Sequence, residues 1–197
     1  MSTATEIDLP SSETSTASNF QSQLLHLIGE PFLFLARGYG GELILHFGEK
    51  VVGPIRKTKH GEFRYEHGTY SLHLRGSAWL IKSGVSQSIL SDGLESDFVR
   101  LFGEPSNRTD AVECPIAPGA VPTAMQPFLY ARPDVNGIGL RVELSDGSAV
   151  IVIPTPAEGD VPNEDEVTDW ELKTPNFALE VGPGRRWQGK PVSVASE

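Results

Sequence analysis

The sequence predicts a strand-dominated α+β protein, built from antiparallel sheets and two short helices. Apolar and polar residues alternate along several short segments, which is the pattern of half-buried strands. Glycine, proline and asparagine occur between these segments, at the places where tight turns need them. The chain has 197 residues, 39% of them hydrophobic, and this is enough for one globular unit with its own core.

The first element is a predicted helix over residues 20–28. Phe20, Leu24 and Leu27 recur at helical spacing and would bury one side of it. Gly29 follows directly and ends the helix, because glycine readily adopts the conformation that closes a last turn.

The first half of the chain then continues as strands. The predicted strands cover residues 31–36, 42–47, 62–65, 69–75 and 78–81. In the second of them Leu43, Leu45 and Phe47 share one face and His46 lies on the other. Residues 38–41, Gly-Tyr-Gly-Gly, predict a turn, and a second turn is expected near residues 67–68.

The second half opens with a predicted helix over residues 95–102. Residues 114–127 contain four prolines, which exclude a central strand or the interior of a helix. Two hairpins are predicted after this stretch, one from residues 140–144 and 149–153, the other from 169–173 and 177–181.

The pattern PFL…AR…G…L…L…G occurs twice, at residues 31–49 and 127–147. Gly-Glu-Pro also occurs twice, just after each predicted helix. One hypothesis is that two pseudo-repeated β-rich halves, about 20–82 and 95–182, pack together because each is too small to bury its own apolar face. The alternative is that turns and alternating leucines recur by chance in a β-rich chain.

The ends of the chain differ in composition from the middle. Residues 1–18 are rich in serine and threonine and predict a disordered tail. Residues 183–197 are rich in glycine, proline and arginine and predict a flexible end. One globular unit is therefore expected over residues 19–182.

The net charge limits the kinds of molecule that the protein is expected to bind, and the cysteine content indicates its cellular compartment. The net charge of −10 opposes binding to nucleic acid or to anionic membranes, which attract cationic proteins. No apolar run approaches the length that spans a bilayer, and the N-terminus lacks the pattern of a secretory signal. The single cysteine fits a reducing compartment, so a cytoplasmic location is expected.

Catalytic, metal and cofactor motifs are missing from the sequence. All five histidines lie in the first half, but their spacing matches no zinc motif. No nucleophile elbow and no glycine-rich phosphate loop occur either. The sequence therefore predicts no catalytic residue, no metal ligand and no cofactor, and the strand face of His46 and His73 is the candidate location of a concealed site.

Acidic residues are concentrated between residues 158 and 171, next to a tryptophan. Such a surface suits a protein interface, because an aromatic anchor gains energy on desolvation while charges select the partner. The predicted partner-binding residues are Asp160, Glu164, Asp165, Glu166, Asp169 and Trp170. Their partner is expected to be a protein with a basic surface; the sequence leaves the oligomeric state open.

Two classes of function follow. The first is a non-catalytic acidic protein-binding module, such as an immunity-like inhibitor, an adaptor or a subunit of a complex. In its general character the chain is similar to small cytosolic bacterial proteins, some of which neutralise toxins as immunity proteins. The alternative is an enzyme, or a protein that binds a metal or small ligand, with its site near the strand face of His46 and His73.

Overall fold

The computed structural model describes residues 20–38, 42–59, 61–83, 88–90, 114–132, 135–155, 168–182, 184 and 186–191. Residues 20–24 form an α-helical turn that continues as a 3-10 helix at Leu25–Leu27. This confirms the first predicted helix, whereas the second, at residues 95–102, lies outside the described residues. None of the helices in the described ranges is long and apolar enough to cross a membrane.

Strands make up most of the described chain, which confirms the strand-dominated prediction. They are β1 (Phe32–Arg37), β2 (Leu43–Thr58), β3 (Gly61–Leu74), β4 (Ser77–Lys82), β5 (Ser88–Leu90), β6 (Pro122–Arg132), β7 (Val135–Leu144), β8 (Ala149–Pro154), β9 (Trp170–Lys173), β10 (Phe177–Val181) and β11 (Trp187–Pro191).

The strands form two antiparallel sheets. The six-stranded sheet has the order β1-β2-β3-β9-β10-β11, and the five-stranded sheet has the order β5-β4-β8-β7-β6. Buried side chains from both sheets belong to one apolar cluster, so the sheets pack face to face as a sandwich. The short helix at residues 20–27 adds Phe20, Leu24 and Leu27 to the same cluster.

The two sheets differ on their outward sides. The five-stranded sheet buries apolar residues there as well, among them Leu80, Ile151 and Ile153. The six-stranded sheet instead alternates, with Leu45 and Leu72 turned inward and polar side chains turned outward. The outward side of the six-stranded sheet, called here the outer face, is therefore where the polar side chains gather.

The prediction of a turn at residues 67–68 was wrong. These residues lie inside β3, which continues from Gly61 to Leu74 and pairs with β2 along its length. A Cβ atom on Gly68 would collide with the backbone of Phe47, so glycine permits a close approach of the two strands beside a β-bulge. Gly68 therefore indicates a β-bulge within a continuous strand pair, and not a turn.

The end of the chain also differs from the expectation of a flexible segment over residues 183–197. Trp187–Pro191 form β11, which pairs with β10 at the edge of the six-stranded sheet. Backbone pairing supports this strand although its sequence lacks a strong alternating pattern, and the ring of Trp187 packs against that of Phe20.

The two-half arrangement is not confirmed. Both copies of the Pro-Phe-Leu pattern lie on edge strands, β1 and β6, that lead into antiparallel hairpins. However, β4 and β5 from the first half complete the five-stranded sheet, and β9 to β11 from the second half complete the six-stranded one. The sheets therefore draw on both halves, instead of each half forming its own layer.

Candidate functional site

The first candidate site lies on the outer face and is called here the histidine face: Glu42, His46, Ser71, His73 and Arg75. The strand period of two places His46 on β2, and Ser71 and His73 on β3, on this side of the sheet. Ser71 lies directly opposite His46 across the two strands. The two imidazoles are therefore diagonal neighbours, and the pairing of their strands brings them to one region, although each comes from a different part of the sequence.

A chain of hydrogen bonds joins four of these side chains. His73 Nδ1 lies 2.8 Å from Glu42 Oε1, and His73 Nε2 lies 3.0 Å from Ser71 Oγ. Glu42 also accepts a bond of 2.8 Å from Arg75 Nε. An ionised carboxylate can only accept, so His73 carries its proton on Nδ1 and accepts the Ser71 hydroxyl on Nε2.

Electrostatics favour this assignment of charge. Burial alone would raise the pKa of Glu42, but the hydrogen bonds and charges of Arg75 and His73 outweigh it and hold that pKa below its usual value. Burial lowers the pKa of His73, against the opposing hydrogen bond to Glu42. A carboxylate, a neutral imidazole and a hydroxyl thus stand in line, as in nucleophile–base–carboxylate sites.

His46 is the most deeply buried member of the histidine face, with 2% of its surface exposed. Its Nδ1 accepts the backbone N–H of Gly68 at 3.2 Å, so the ring proton sits on Nε2. Nε2 has no hydrogen-bond partner among the described residues. Burial, together with the nearby His73 and His67, lowers the pKa of His46 to about 4, so the ring is neutral at pH 7.

The histidine face does not supply a recognisable metal site. Within the described ranges, no group of three or more histidine, cysteine, aspartate or glutamate side chains is arranged to hold a metal ion. The nitrogen of His73 that faces Glu42 is already engaged, and so is the nitrogen of His46 that faces Gly68. The Glu42–His73–Ser71 hydrogen bonds make proton transfer possible on this face.

The second candidate site is the far part of the β2–β3 hairpin, residues 49–66, called here the arm. β1 pairs with β2 only as far as Phe47, and β9 pairs with β3 only from Ser71 onward. Beyond these points β2 and β3 pair with each other alone in the described chain, and at about 3.3 Å per residue the arm extends roughly 30 Å from the sandwich.

The arm exposes apolar side chains. Val51, Val52, Ile55 and Tyr65 are exposed by 39%, 47%, 49% and 49%. They are four of the five large hydrophobic side chains that are exposed among the described residues; the fifth is Leu25 on the helix. Exposed apolar groups concentrated in this way typically mark an interaction surface.

Each side of the arm has its own chemistry. Val51 lies opposite His67, and Tyr65 precedes His67 by two residues, so the three side chains share the outer face with Ser71. The rings of Tyr65 and His67 lie 5.9 Å apart. The opposite side carries Val52 and Ile55.

That opposite side also carries two cross-strand ion pairs. Lys50 pairs with Glu66 at 2.6 Å, and Lys57 pairs with Glu62 at 2.9 Å. The two carboxylates of the β3 segment of the arm are therefore both engaged away from the outer face.

The predicted partner-binding residues divide into two groups. Asp160, Glu164, Asp165 and Glu166 lie outside the described residues, so their role stays a prediction. Asp169 and Trp170 are buried, with 1% and 0% of their surfaces exposed. Trp170 donates its indole N–H to the carbonyl of Ile138 at 2.8 Å and packs against Phe20. It is a core residue, and it does not form the exposed aromatic anchor that its acidic neighbours in the sequence suggested.

Sequence reasoning missed the arm. No strand was predicted over residues 49–58, because Gly53 and Pro54 interrupt the alternation there. The available signal was a pair of apolar segments, Val51-Val52 and Ile55, facing the alternating segment at residues 62–65. A β-bulge between Val52 and Ile55 absorbs the interruption.

Comparison with known proteins adds no information about function. No protein-family model, no curated protein and no solved structure matches the chain. The chemistry and exposure of the residues themselves therefore carry the functional interpretation.

Proposed function

We propose that this protein is a non-catalytic protein-binding module that contacts its partner through the arm. The concentration of exposed apolar side chains on residues 49–66 carries this proposal. A two-stranded ribbon has too little buried surface to be stable without support, and a partner that covers Val51 and Tyr65 would supply it. An immunity-like inhibitor, an adaptor and a subunit of a complex are the roles that fit such a module.

Charge gives the proposed partner surface a second component. The acidic residues Asp160, Glu164, Asp165 and Glu166 are proposed to attract a basic region of the partner, since complementary charge speeds association. Asp169 and Trp170 are not part of this proposed contact, because both are buried. The proposed module thus uses two contacts, an apolar one at the arm and an electrostatic one at the acidic residues 160–166.

Photo-crosslinking in cells tests the proposal. A photoreactive phenylalanine analogue replaces Tyr65 on the arm or, as a control, Gln126, which is exposed on the edge strand β6. We expect the Tyr65 position to capture one dominant protein and the Gln126 position to capture none. Adding V51D should abolish the capture, because a carboxylate on this apolar contact would be buried without a partner.

The acidic contact has its own control. Reversing Glu164, Asp165 and Glu166 to lysine should weaken capture and reduce its sensitivity to salt, with little effect on folding. Equal capture at Tyr65 and Gln126, or no capture at either, would contradict arm-mediated binding. Unchanged capture by the triple variant would remove only the acidic residues from the proposal.

A second function is favoured by the Glu42–His73–Ser71 chain. In this alternative the histidine face binds a small acyl substrate, and Ser71 Oγ attacks its carbonyl carbon. The Ser71 proton passes to His73 Nε2 and then to the leaving group, and water releases the acyl group from Ser71. The support for this alternative is the line of hydrogen bonds at 3.0 and 2.8 Å.

This second function predicts selective modification of Ser71. An alkyl fluorophosphonate should label Ser71 in the folded protein, and H73Q and E42Q should each slow labelling by roughly a hundredfold or more. Thr69 is the matched control, because its hydroxyl donates to the carbonyl of Glu49 and not to a base. Intact-mass measurement and peptide mapping would show the result; an unlabelled, folded protein would leave the histidine face with a structural role only.

A further inference from the structure

We propose that Asp169 is a proton-sensitive switch at the junction between the two sheets. When its carboxyl group ionises, the junction opens locally and releases Arg75 from the histidine face. This inference goes beyond the proposed function, because it concerns neither the arm nor the acidic residues 160–166. The junction, as the term is used here, consists of residues just outside the ends of β3, β4, β8 and β9: Arg75, Gly76, Thr155, Thr168 and Asp169.

Backbone hydrogen bonds hold the junction together. The chain passes from the six-stranded to the five-stranded sheet at Arg75 and Gly76, between β3 and β4. The N–H groups of these two residues donate to the carbonyls of Asp169 at 3.1 Å and of Thr168 at 3.2 Å. The Gly76 carbonyl accepts the N–H of Thr155 at 3.3 Å and its hydroxyl at 2.8 Å. A movement of Asp169 therefore disturbs the segment that connects the sheets.

The carboxyl group of Asp169 lies in apolar surroundings. A Cβ atom added to Gly137 on β7 would lie 2.7 Å from Pro154 Cγ on β8 and 3.5 Å from Asp169 Oδ2, so the carboxyl group approaches the five-stranded sheet. Asp169 is buried, and its Oδ2 has no hydrogen-bond partner among the described residues. A protonated carboxyl group can stay in such a place, whereas an ionised one gains free energy by reaching water.

The described cations on the neighbouring elements are engaged with other carboxylates. Burial is the cause that raises the pKa of Asp169 to about 7. The guanidinium group of Arg75 lies 2.8 Å from Glu42 and 3.4 Å from Glu171. β8 carries no charged residue, and β7, β9, β10 and β11 carry the ion pairs Arg141–Glu143, Lys173–Glu171 and Lys190–Glu180. Opening toward water is therefore the way in which the described chain can accommodate an ionised Asp169.

Arg75 connects the junction to the histidine face. Its backbone N–H donates to Asp169, and its Nε donates to Glu42 Oε1, which also accepts the proton of His73 Nδ1. When the junction opens, Arg75 loses the backbone contact that positions it. Glu42 then loses the hydrogen bond from Arg75, and the line of hydrogen bonds through His73 to Ser71 loses this support. The proton on Asp169 thus controls the histidine face from a distance.

Hydrogen exchange of the full chain, followed by NMR between pH 4 and pH 8, tests the inference. After correction for intrinsic exchange, opening should increase about tenfold per pH unit up to about pH 7 and then level off, because the open form binds the proton less tightly. The backbone N–H groups of Arg75 and Gly76 and the Nε–H of Arg75 report the opening. D169N should remove this pH dependence. D146N, which replaces a carboxylate in the turn between β7 and β8, is the matched control and should retain it.

Urea separates local opening from global unfolding, since both expose Asp169. Exchange through local opening is nearly independent of low urea concentrations, whereas exchange through global unfolding accelerates with urea. The inference is overturned if the Arg75 and Gly76 amides of the wild type respond to urea as strongly as the β7 amides, or if D169N keeps the pH dependence. Opening reported by the backbone amides but not by the Nε–H of Arg75 would overturn the link to the histidine face. Circular dichroism would verify that both variants are folded.

Discussion

Replacing Trp170 with alanine is expected to destabilise the fold by about 3–5 kcal/mol, because the substitution leaves a large cavity in the core. Trp170 is fully buried, its ring packs against Phe20, and its indole N–H bonds the carbonyl of Ile138 on the five-stranded sheet. The side chain thus joins the two layers of the sandwich and the short helix. Urea denaturation followed by circular dichroism would measure the change in free energy of unfolding.

Two further variants separate the causes of this loss. W170F keeps an aromatic ring and removes the hydrogen bond, so it should cost less than W170A and still leave the Ile138 carbonyl short of a donor. W187A changes a half-buried tryptophan at the edge strand β11 and should cost less than W170A. A W170A variant as stable as the wild type would show that Trp170 does not join the layers.

Replacing Asp169 with asparagine is expected to stabilise the protein at pH 7 and above. Burial raises the pKa of Asp169 to about 7, from 3.8 for an ordinary aspartate. Its Oδ2 atom has no hydrogen-bond partner among the described residues. Well below pH 3.8 the carboxyl is neutral in the folded and unfolded states alike, and burial of Asp169 carries no charge penalty.

The sign of the pH dependence follows from this raised pKa. Between about pH 4 and pH 7 the unfolded chain loses its Asp169 proton while the folded chain keeps it. Stability associated with this group is therefore lost as pH rises through that window, by about 4 kcal/mol at most. D169N removes this loss, so the difference between variant and wild type should grow from pH 4 to pH 7 and then level off.

Asp146 provides a control of opposite sign. Burial would raise its pKa, but hydrogen bonds from Ser148 and from the Ala117 backbone outweigh burial and lower it. D146N should therefore destabilise the protein at neutral pH, and its effect should shrink as pH falls through the range where aspartate titrates. Thermal melts of both variants across this pH range would give the two profiles, and identical profiles would contradict the placement of Asp169.

The strands that could be predicted are those in which packing imposes a period of two. Leu43, Leu45 and Phe47 share the side of β2 that faces the core, and His46 lies on the other side. The same logic identified the side of the sheet that carries His46 and His73. The same period puts Ser71 on the side of β3 that carries His73, and Glu42 on the side that carries His46. The hydrogen bond between Glu42 and His73 depends on the register of β2 against β3, which one sequence does not display.

Other features escaped prediction for separate physical reasons. The arm is exposed on both sides, so no buried side imposes an alternating pattern on residues 49–58. β11 pairs with β10 through backbone hydrogen bonds, which require no alternating pattern of apolar side chains in the sequence. Trp170 follows the acidic segment in sequence, but it is the first residue of β9 and its side chain lies in the core between the sheets. Proximity in sequence was therefore a poor guide to exposure.

The pairing of β3 with β9 has a consequence for how the protein forms during synthesis. Ser71 pairs with Lys173 and Leu74 with Trp170, so strands roughly a hundred residues apart must meet to complete the six-stranded sheet. Contacts this distant in sequence slow folding, because a long loop must close before they form. During translation β3 is synthesised before β9, so the edge of β3 that pairs with β9 stays unpaired until β9 has left the ribosome. The exposed apolar side chains of the arm have already been synthesised by then. A nascent chain of this kind is most exposed to aggregation late in translation, when a holdase would protect it most.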